Sequence, residues 1–310
     1  MQRASSSLRR ARPLLGTFVE ISVTTCRDEC SAAQAIDAAF DAVALVHNLM
    51  SFHEPGSDVG RLNREGAQGA VTVHPWTYQV MKAAVELQRE SDGCFDVTVA
   101  PALQALHLLP SHQDADGADS LSDAGFAAPV SDPIILLPDH RIRLREPGIR
   151  IDLGGIAKGF AADQAATVLR EYGVVGGLVN AGGDIAAFGP QPHRIHVRDP
   201  NDPARFISWI DLEDAGLASS GRLMARTRAT EHIASAVIDP LTGTAVAEVA
   251  GATVRAHSCM MADALTKPVM VCGEASLPLL EKYHASALLV GPDGDVHATS
   301  NWMEACNSAA

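Results

Sequence analysis

The sequence is short of three things on which large classes of proteins depend: aromatic residues, basic residues and long hydrophobic runs. Aromatic side chains make up 5% of the 310 residues, and 24 Lys and Arg stand against 37 Asp and Glu, which leaves a net charge of -13. This charge repels a phosphate backbone, and no basic stripe interleaved with aromatics occurs, so nucleic acid is excluded as a partner. No apolar stretch approaches the length of a membrane span, so we expect no membrane partner.

The first residues also lack the apolar run of a signal peptide, so the sequence predicts a cytoplasmic protein. Cysteine is sparse, because six cysteines in a chain of this length do not make a disulfide framework. Cys26 and Cys30 are separated by three residues and have no second pair at metal-ligand spacing. We therefore expect reduced thiols with mostly structural roles.

The hydrophobic content of 47% is enough for a substantial core. We expect one domain over residues 1–310, with a surface insertion at 108–132, where Ser, Asp, Ala and Gly dominate without a period. From residue 133 onward, short β-like runs come mostly in adjacent pairs, interrupted by helices at about 156–172 and 258–271. This order favours an α+β fold with mixed or antiparallel sheets over a doubly wound parallel sheet.

The first half of the chain has fewer predicted elements. A strand is expected over 14–23, and a long helix capped by Ser31 should follow it and end near Met50. Ser57 is in position to cap a short helix that ends at about Asn63, and a second long helix is expected over about 78–90. Each long helix thus leads into a polar turn.

The block from Asp152 to Gln164, DLGGIAKGFAADQ, is the most informative part of the chain. Gly154 and Gly155 allow positive φ and a close approach to a ligand, and Lys158 falls at a helix N-terminus, where free N–H groups favour phosphate. The alternative is a tight turn with a solvated lysine. A second glycine and carboxylate group, Gly182, Gly183 and Asp184, follows that helix.

Four more clusters carry polar residues at turns or on one helix face. Met50 and Ser51 precede a break between helices, and Asp96 and Thr98 would face the same side of a strand. Asp239 begins a proline and glycine turn, where it can cap the backbone. Asp263 and Lys267 lie one helical turn apart and can pair, although such a pair is also common on ordinary exposed helices.

Read in order, eight blocks resemble the FAD:protein FMN transferase family, also called the ApbE-type flavin transferases. The blocks are LGTFVEI, MSFHEPGSDVGRLN, GCFDVTVAPAL, IDLGGIAKGFAADQ, LVNAGGDIAAFG, ASSG, VIDPLTG and TVRAHSCMMADAL, and they extend from about Leu14 to about Gly273. The resemblance implies an α+β protein that binds FAD between two lobes and uses a divalent metal, usually Mg²⁺. FMN would pass from FAD to a Thr or Ser hydroxyl of an acceptor protein.

The resemblance also implies roles for individual residues. Asp263 and Lys158 are candidate catalytic residues on this basis, and Lys267 is a third candidate because it can pair with Asp263. The metal ligands would be the carbonyl of Ala157 and the carboxylate of Asp263. Oxygen donors of this kind suit Mg²⁺. The candidate FAD-binding residues are Met50, Ser51, Asp96, Thr98, Gly154, Gly155, Lys158, Gly182, Gly183, Asp184 and Asp239.

Two positions depart from the family pattern. Lys267 stands where the family has a metal-binding Thr, and an ammonium group has no acceptor with which to coordinate a metal. Thr266 is about 100° round the helix and poorly placed to substitute. Ala236 stands where the family often has His, so the general base is unassigned, with His232 and His257 as nearby alternatives.

These departures leave three functions open. The first is FMN transfer, with weakened metal dependence. The second is an FAD-binding carrier or regulator in which Lys267 fills the metal site. The third is an FAD pyrophosphatase that releases FMN and AMP without an acceptor protein.

Overall fold

A computed structural model of the chain describes residues 6–25, 29–110, 132–223, 234–235 and 237–307. The helices are α1 (Glu29–Met50), α2 (Asp58–Glu65), α3 (Pro75–Glu90), α4 (Ala100–Ala105), α5 (Ala157–Glu171), α6 (Cys259–Cys272), α7 (Leu277–Lys282) and α8 (Ser300–Asn307). The strands are β1 (Ser6–Leu14), β2 (Thr17–Thr25), β3 (Val71–Thr72), β4 (Ile134–Leu137), β5 (Arg141–Leu144), β6 (Gly176–Ala181), β7 (Asp184–Phe188), β8 (His193–Arg198), β9 (Phe206–Leu212), β10 (Gly216–Leu223), β11 (Ala234–Ser235), β12 (Gly251–Ala256), β13 (Ser286–Val290) and β14 (Val296–Ala298).

The chain forms two compact units, each made of segments that are distant in the sequence. The first unit comprises Met1–Asn48, Gly154–Ser220 and Glu248–Ala310, and the second comprises Leu49–Leu153 and Gly221–Ala247. Both contain helices together with paired strands, and each described strand register is antiparallel. The α+β prediction is therefore confirmed.

The first unit is built on a large sheet with strand order β1-β2-β6-β7-β10-β12-β13-β14. All five residues of β7 are buried, as expected for a strand covered on both faces. One face packs Ile185 and Ala187 against the β8–β9 hairpin and Trp302 of α8. Because side chains alternate along a strand, Asp184, Ala186 and Phe188 point to the opposite face, where α5 packs on β7.

The second unit contains the three-stranded sheet β3-β5-β4 and the helices α2, α3 and α4. Asp58 at the start of α2 ties several elements together. Its carboxylate accepts hydrogen bonds from Thr77 Oγ1 at 2.7 Å and from the backbone N–H of His74 at 2.8 Å, and it pairs with Arg61. The side chain is buried and fully partnered, so this carboxylate stabilises the unit.

Several expected elements are confirmed with shifted bounds, two expectations are wrong, and strand β1 was not predicted. The first error is the cap at Ser31, because α1 begins at Glu29 and Ser31 lies inside that helix. The second concerns Asp96 and Thr98, which lie in a turn, where Asp96 accepts hydrogen bonds from Thr98 N and Oγ1. Ser57 caps α2 as predicted, since its hydroxyl accepts from Gly60 N at 2.9 Å.

Cysteine chemistry also differs from the expectation. Cys94 and Cys272 are each disulfide-bonded, so the prediction of reduced thiols is wrong for these two. Cys259 is a free and buried thiol. Most of the expected surface insertion at 108–132 lies outside the described residues.

Among the helices that the structure describes, none is both long enough and apolar enough to cross a membrane.

Candidate active site

Lys158 occupies the first turn of α5, close to the start predicted for that helix. The N-cap residue Ile156 makes no side-chain capping hydrogen bond, and the N–H of Gly159 in the first turn donates to the Asp263 carboxylate instead. The Lys158 ammonium donates to the Asp184 carboxylate at the start of β7. The Lys158 side chain keeps 34% of its surface exposed, whereas the Asp184 side chain is almost completely buried. A half-buried cation is therefore held in place by a buried anion at a helix N-terminus.

Asp263 and Lys267 form the second part of the site on α6. The Lys267 ammonium donates to the Asp263 carboxylate oxygen Oδ1 and, at 2.9 Å, to the Asp263 backbone carbonyl. The other carboxylate oxygen, Oδ2, accepts from Gly159 N at 3.2 Å and lies 3.9 Å from Lys158 Nζ. The predicted pairing of Asp263 with Lys267 is present, but it is buried and linked to Lys158 and Asp184 in one cluster of alternating charge.

The close packing of α5 on α6 brings the two halves together. A Cβ at Gly159 would lie 2.2 Å from the carbonyl oxygen of Cys259, so only glycine permits this approach. Asp163, one turn further along α5, accepts hydrogen bonds from the N–H groups of Cys259 at 2.9 Å and Met260 at 2.8 Å. Ser258 adds a third cap through its hydroxyl. These contacts fix the start of α6 and so the position of Asp263.

Asp163 and Ser258 were not identified as site-forming residues from the sequence. Ser258 had a usable signal, since a serine directly before an apolar helical run is a common N-cap. Asp163 had none, because it caps a helix that begins 96 residues later in the chain.

The pKa values within the cluster depend on burial and on the charges of its two lysines and two aspartates. Burial raises the pKa of Asp184 to about 6, and the Asp263 carboxylate adds to this rise while the two ammonium groups oppose it. Burial acts in the same sense on Asp263, but Lys158 and Lys267 together hold its pKa below the ordinary value. Burial also disfavours the charged form of Lys158, yet Asp263 and Asp184 raise its pKa, so the lysine remains an ammonium.

The Mg²⁺ that the resemblance implies does not fit the residues present. Both carboxylate oxygens of Asp263 already accept hydrogen bonds from protein donors. The hydroxyl of Thr266 points elsewhere, to Ser220 Oγ at 2.8 Å and to the Asp263 carbonyl at 2.7 Å. Within the described part of the chain, no group of three or more His, Cys, Asp or Glu residues could hold a metal ion. Lys267 supplies the positive charge at this position.

The glycines of the two motif blocks have different uses from those expected. Gly155 does not have positive φ, and its lack of a side chain instead makes room for Lys267, whose Cε would lie 2.9 Å from a Cβ at this position. Positive φ occurs at Gly182 and Gly183, in the turn between β6 and β7 that leads into Asp184. The prediction of positive φ is thus wrong at Gly154 and Gly155, whereas Gly182 and Gly183 form a turn that requires it.

The other candidates belong to the second unit, and most of their described polar contacts are with residues close in the sequence. Met50 is the buried last residue of α1, and the Ser51 hydroxyl accepts from His53 N at 3.2 Å. Asp239 accepts from Leu241 N and Thr242 Oγ1, each at 2.9 Å, and so caps its turn as predicted.

Burial raises the pKa of Asp96 above its ordinary value, and the hydrogen bonds from Thr98 and Gln88 oppose this rise. The assignment of these residues to FAD remains a prediction.

The alternatives for a general base are not brought into this cluster by any described contact. Ala236 and His232 lie outside the described residues, and His257 is exposed next to the N-cap of α6. The base therefore remains unassigned.

Two anchored ammonium groups beside a helix N-terminus in an α+β protein form a site suited to an anion such as a phosphate. The ApbE family model matches residues 15–289, and the chain belongs to the ApbE family.

Curated proteins similar to this chain are named FAD:protein FMN transferase. The FAD:protein FMN transferase of Treponema pallidum is 25% identical, with 95% of this chain and 87% of that protein aligned. The Vibrio cholerae protein of the same name is 29% identical, with 74% and 70% aligned. The crystal structure of the ApbE protein from Thermotoga maritima has a TM-score of 0.82 at 25% identity and covers 97% of this chain and 99% of that one. The ApbE-like fold is therefore confirmed.

Proposed function

We propose that this chain is an FAD:protein FMN transferase, which cleaves FAD and attaches FMN to a Thr or Ser hydroxyl of an acceptor protein. The observation that carries the proposal is the anchored pair of ammonium groups, Lys158 and Lys267, beside the N-terminus of α5 in a chain of the ApbE family. The activity named for its relatives acts on a pyrophosphate, which is the anion that such a site is suited to bind.

The geometry assigns separate tasks to the charged residues. The described contacts of Lys158 Nζ are its hydrogen bond to Asp184 and the more distant Asp263, so the ammonium keeps donor capacity for a phosphate oxygen. Asp184 holds that ammonium in one place, and Asp263 does the same for Lys267. Fixed donors of this kind stabilise charge as it develops and need little reorganisation during the reaction.

Transfer requires one bond to form and one to break. The acceptor hydroxyl oxygen attacks the phosphorus on the FMN side of the pyrophosphate, and the bond from that phosphorus to the bridging oxygen breaks. AMP leaves with the bridging oxygen, and the hydroxyl proton passes to a base or to solvent. Negative charge grows on the phosphoryl and bridging oxygens, where the ammonium groups would act.

One alternative has an observation in its favour. The full occupation of the Asp263 oxygens by protein donors favours an FAD carrier or regulator, because a protein of that kind needs a charged pocket but no metal. No described contact specifically favours an FAD pyrophosphatase.

A single assay separates these functions. The purified chain is incubated with FAD and a Thr-containing acceptor domain, and the acceptor mass and free FMN are measured by mass spectrometry and chromatography. The transferase predicts an acceptor adduct of FMN mass together with AMP. FMN release without an adduct would indicate hydrolysis, and tight FAD binding with neither product would indicate the carrier.

Two further parts of the proposal come from the resemblance: an acceptor protein carries the Thr or Ser hydroxyl, and FAD is expected to bind between two lobes. The metal ligands implied by the resemblance, Ala157 and Asp263, are not part of the proposal, because both carboxylate oxygens of Asp263 accept from protein donors. The cytoplasmic location also remains a prediction, and the disulfides of Cys94 and Cys272 argue against it, because structural disulfides are rare in reducing compartments. Free thiols are alkylated rapidly in intact cells, and the mass of the protein then shows whether Cys94 and Cys272 were oxidised. Alkylated cysteines would support the reducing cytoplasm, and unalkylated ones would support an oxidising compartment.

A further inference from the structure

Lys267 is placed as a metal ion would be placed, against the oxygens of a buried carboxylate. Its side chain is 17% exposed and that of Asp263 is 1% exposed, so this is not an ordinary surface ion pair. The ammonium contacts both the carboxylate and the backbone carbonyl of Asp263. Two contacts from one ammonium to one residue fix its position more firmly than a single contact on a flexible side chain.

The surroundings of Lys267 also accommodate the lysine specifically. Gly155 leaves room for the aliphatic stem, since a Cβ there would lie 2.9 Å from Lys267 Cε. Thr266, the nearest hydroxyl on α6, is turned toward Ser220 and the Asp263 carbonyl. The chain contains only four lysines, and two of them, Lys158 and Lys267, belong to this cluster. Lys267 therefore places a cation at a defined position beside Asp263.

We propose that the Lys267 ammonium is a permanent, covalently held replacement for a divalent cation, so that this chain binds FAD without any divalent metal. This inference rests on the proposed function, because FAD supplies the pyrophosphate that the cation would contact. The described contacts use two of the three N–H donors of Lys267, which leaves the third for a phosphate oxygen. The charge is retained at all times, whereas a bound metal can be removed by a chelator.

An ammonium group in place of a divalent ion changes the charge of the cluster. A divalent ion would bring two positive charges to Asp263, whereas the ammonium brings one and cancels the single carboxylate. Lys158 and Asp184 cancel in the same way. The cluster therefore attracts an anion mainly through directed N–H donors at short range, with little contribution from net charge.

The test compares FAD binding by the full-length protein in EDTA and in millimolar MgCl₂, followed by the change in flavin fluorescence. The wild type should have the same affinity in both buffers, and titration calorimetry with MgCl₂ or MnCl₂ should detect no binding of the metal alone. Lys267→Thr should lose FAD affinity in EDTA by about tenfold or more, the scale of one lost charged contact. It should regain affinity in MgCl₂ and bind Mn²⁺ directly.

Two further variants control this experiment. Lys82→Thr makes the same chemical change at an exposed lysine on α3 and should behave as the wild type. Gly155→Ala retains Lys267 but places a methyl group against its stem, so it should displace the ammonium and weaken FAD binding in EDTA. Circular dichroism of each variant verifies folding, and if Lys267→Thr does not fold, Gly155→Ala provides the test.

Several results would overturn the inference. Direct metal binding by the wild type, or loss of its FAD affinity in EDTA, would show that a metal is needed despite Lys267. Unchanged FAD affinity of Lys267→Thr in EDTA would show that the ammonium does not contact the ligand. Absence of FAD binding in both buffers would instead refute the proposed function, and the inference with it.

Discussion

The candidate residues of the two units differ in how they are held. In the first unit, the charged residues have partners from distant parts of the sequence: Lys158 and Asp184 are 26 positions apart, and the Asp263 carboxylate accepts from Gly159 N, 104 positions away. In the second unit, the candidates bond mainly to nearby residues, as for Asp96 with Thr98 and Asp239 with Thr242, although Asp96 also accepts from Gln88 of α3. The first arrangement makes a charged site, and the second shapes turns.

This contrast separates residues that do chemistry from residues that form the backbone around a site. An ammonium anchored on a buried carboxylate retains unused donors for a ligand. A carboxylate that bonds to the N–H groups of its own turn has less capacity left for a ligand. Substitutions in the first unit should therefore affect activity most, whereas those in the second unit should affect mainly local stability.

The largest effect is expected from Lys158→Met, which keeps the length of the side chain but removes its charge. The rate of FMN transfer should fall by about 10²- to 10³-fold, the usual loss when one donor to developing charge is removed. Transfer is followed as adduct formation by mass spectrometry. Lys82→Met, at an exposed lysine of the second unit, serves as the control, and a wild-type rate in Lys158→Met would contradict the proposed site.

The next effect is expected in stability, from Asp163→Ala. The substitution leaves the N–H groups of Cys259 and Met260 without their acceptor at the start of α6, and such caps contribute about 1–2 kcal/mol. Urea unfolding should show this loss with an unchanged slope. Asp163→Asn, which retains one acceptor oxygen, should lose less, and equal stability of the Ala variant would mean that α6 does not depend on this contact.

Asp163 should also make stability depend on pH. Burial raises its pKa from 3.8 to about 6, and the hydrogen bonds from Met260 and Cys259 only partly offset this. Between these values the folded state keeps a proton that the unfolded state has released, so this contribution to stability is present below about pH 4 and is lost as the pH rises through 6. Urea unfolding across this range should show a smaller decline for Asp163→Asn. A parallel decline in both proteins would refute the assignment.

The smallest effect is expected from Thr98→Val in the second unit. It removes the hydroxyl hydrogen bond to Asp96 at 2.8 Å and leaves the backbone bond at 2.7 Å intact, so the free energy of unfolding should fall by about 1 kcal/mol. FAD affinity measured on the same variant tests the predicted role of this turn in nucleotide binding. A large loss of affinity at unchanged stability would reduce the contrast between the two units.

Local features were the ones that could be predicted well. The helices around Lys158 and Asp263, the Ser57 cap and the Asp239 turn were all expected, because each depends on residues within a few positions of one another. The expected cap at Ser31 and the expected strand at Asp96 failed for lack of a strong local signal. The disulfides of Cys94 and Cys272 could not be foreseen, because pairing depends on three-dimensional proximity.

The sequence by itself determined which residue types were available: an ammonium at the start of α5, and a lysine where the family has threonine. Only the tertiary structure decided that Asp184 holds Lys158 and that Asp163 fixes the start of α6. It also decided that Lys267 donates to the oxygens of Asp263, with its side chain packed beside Gly155. Charges on separate elements meet only when helices and sheet pack together. Burial then makes their pairing obligatory, because an unpaired charge in a poorly hydrated interior is costly.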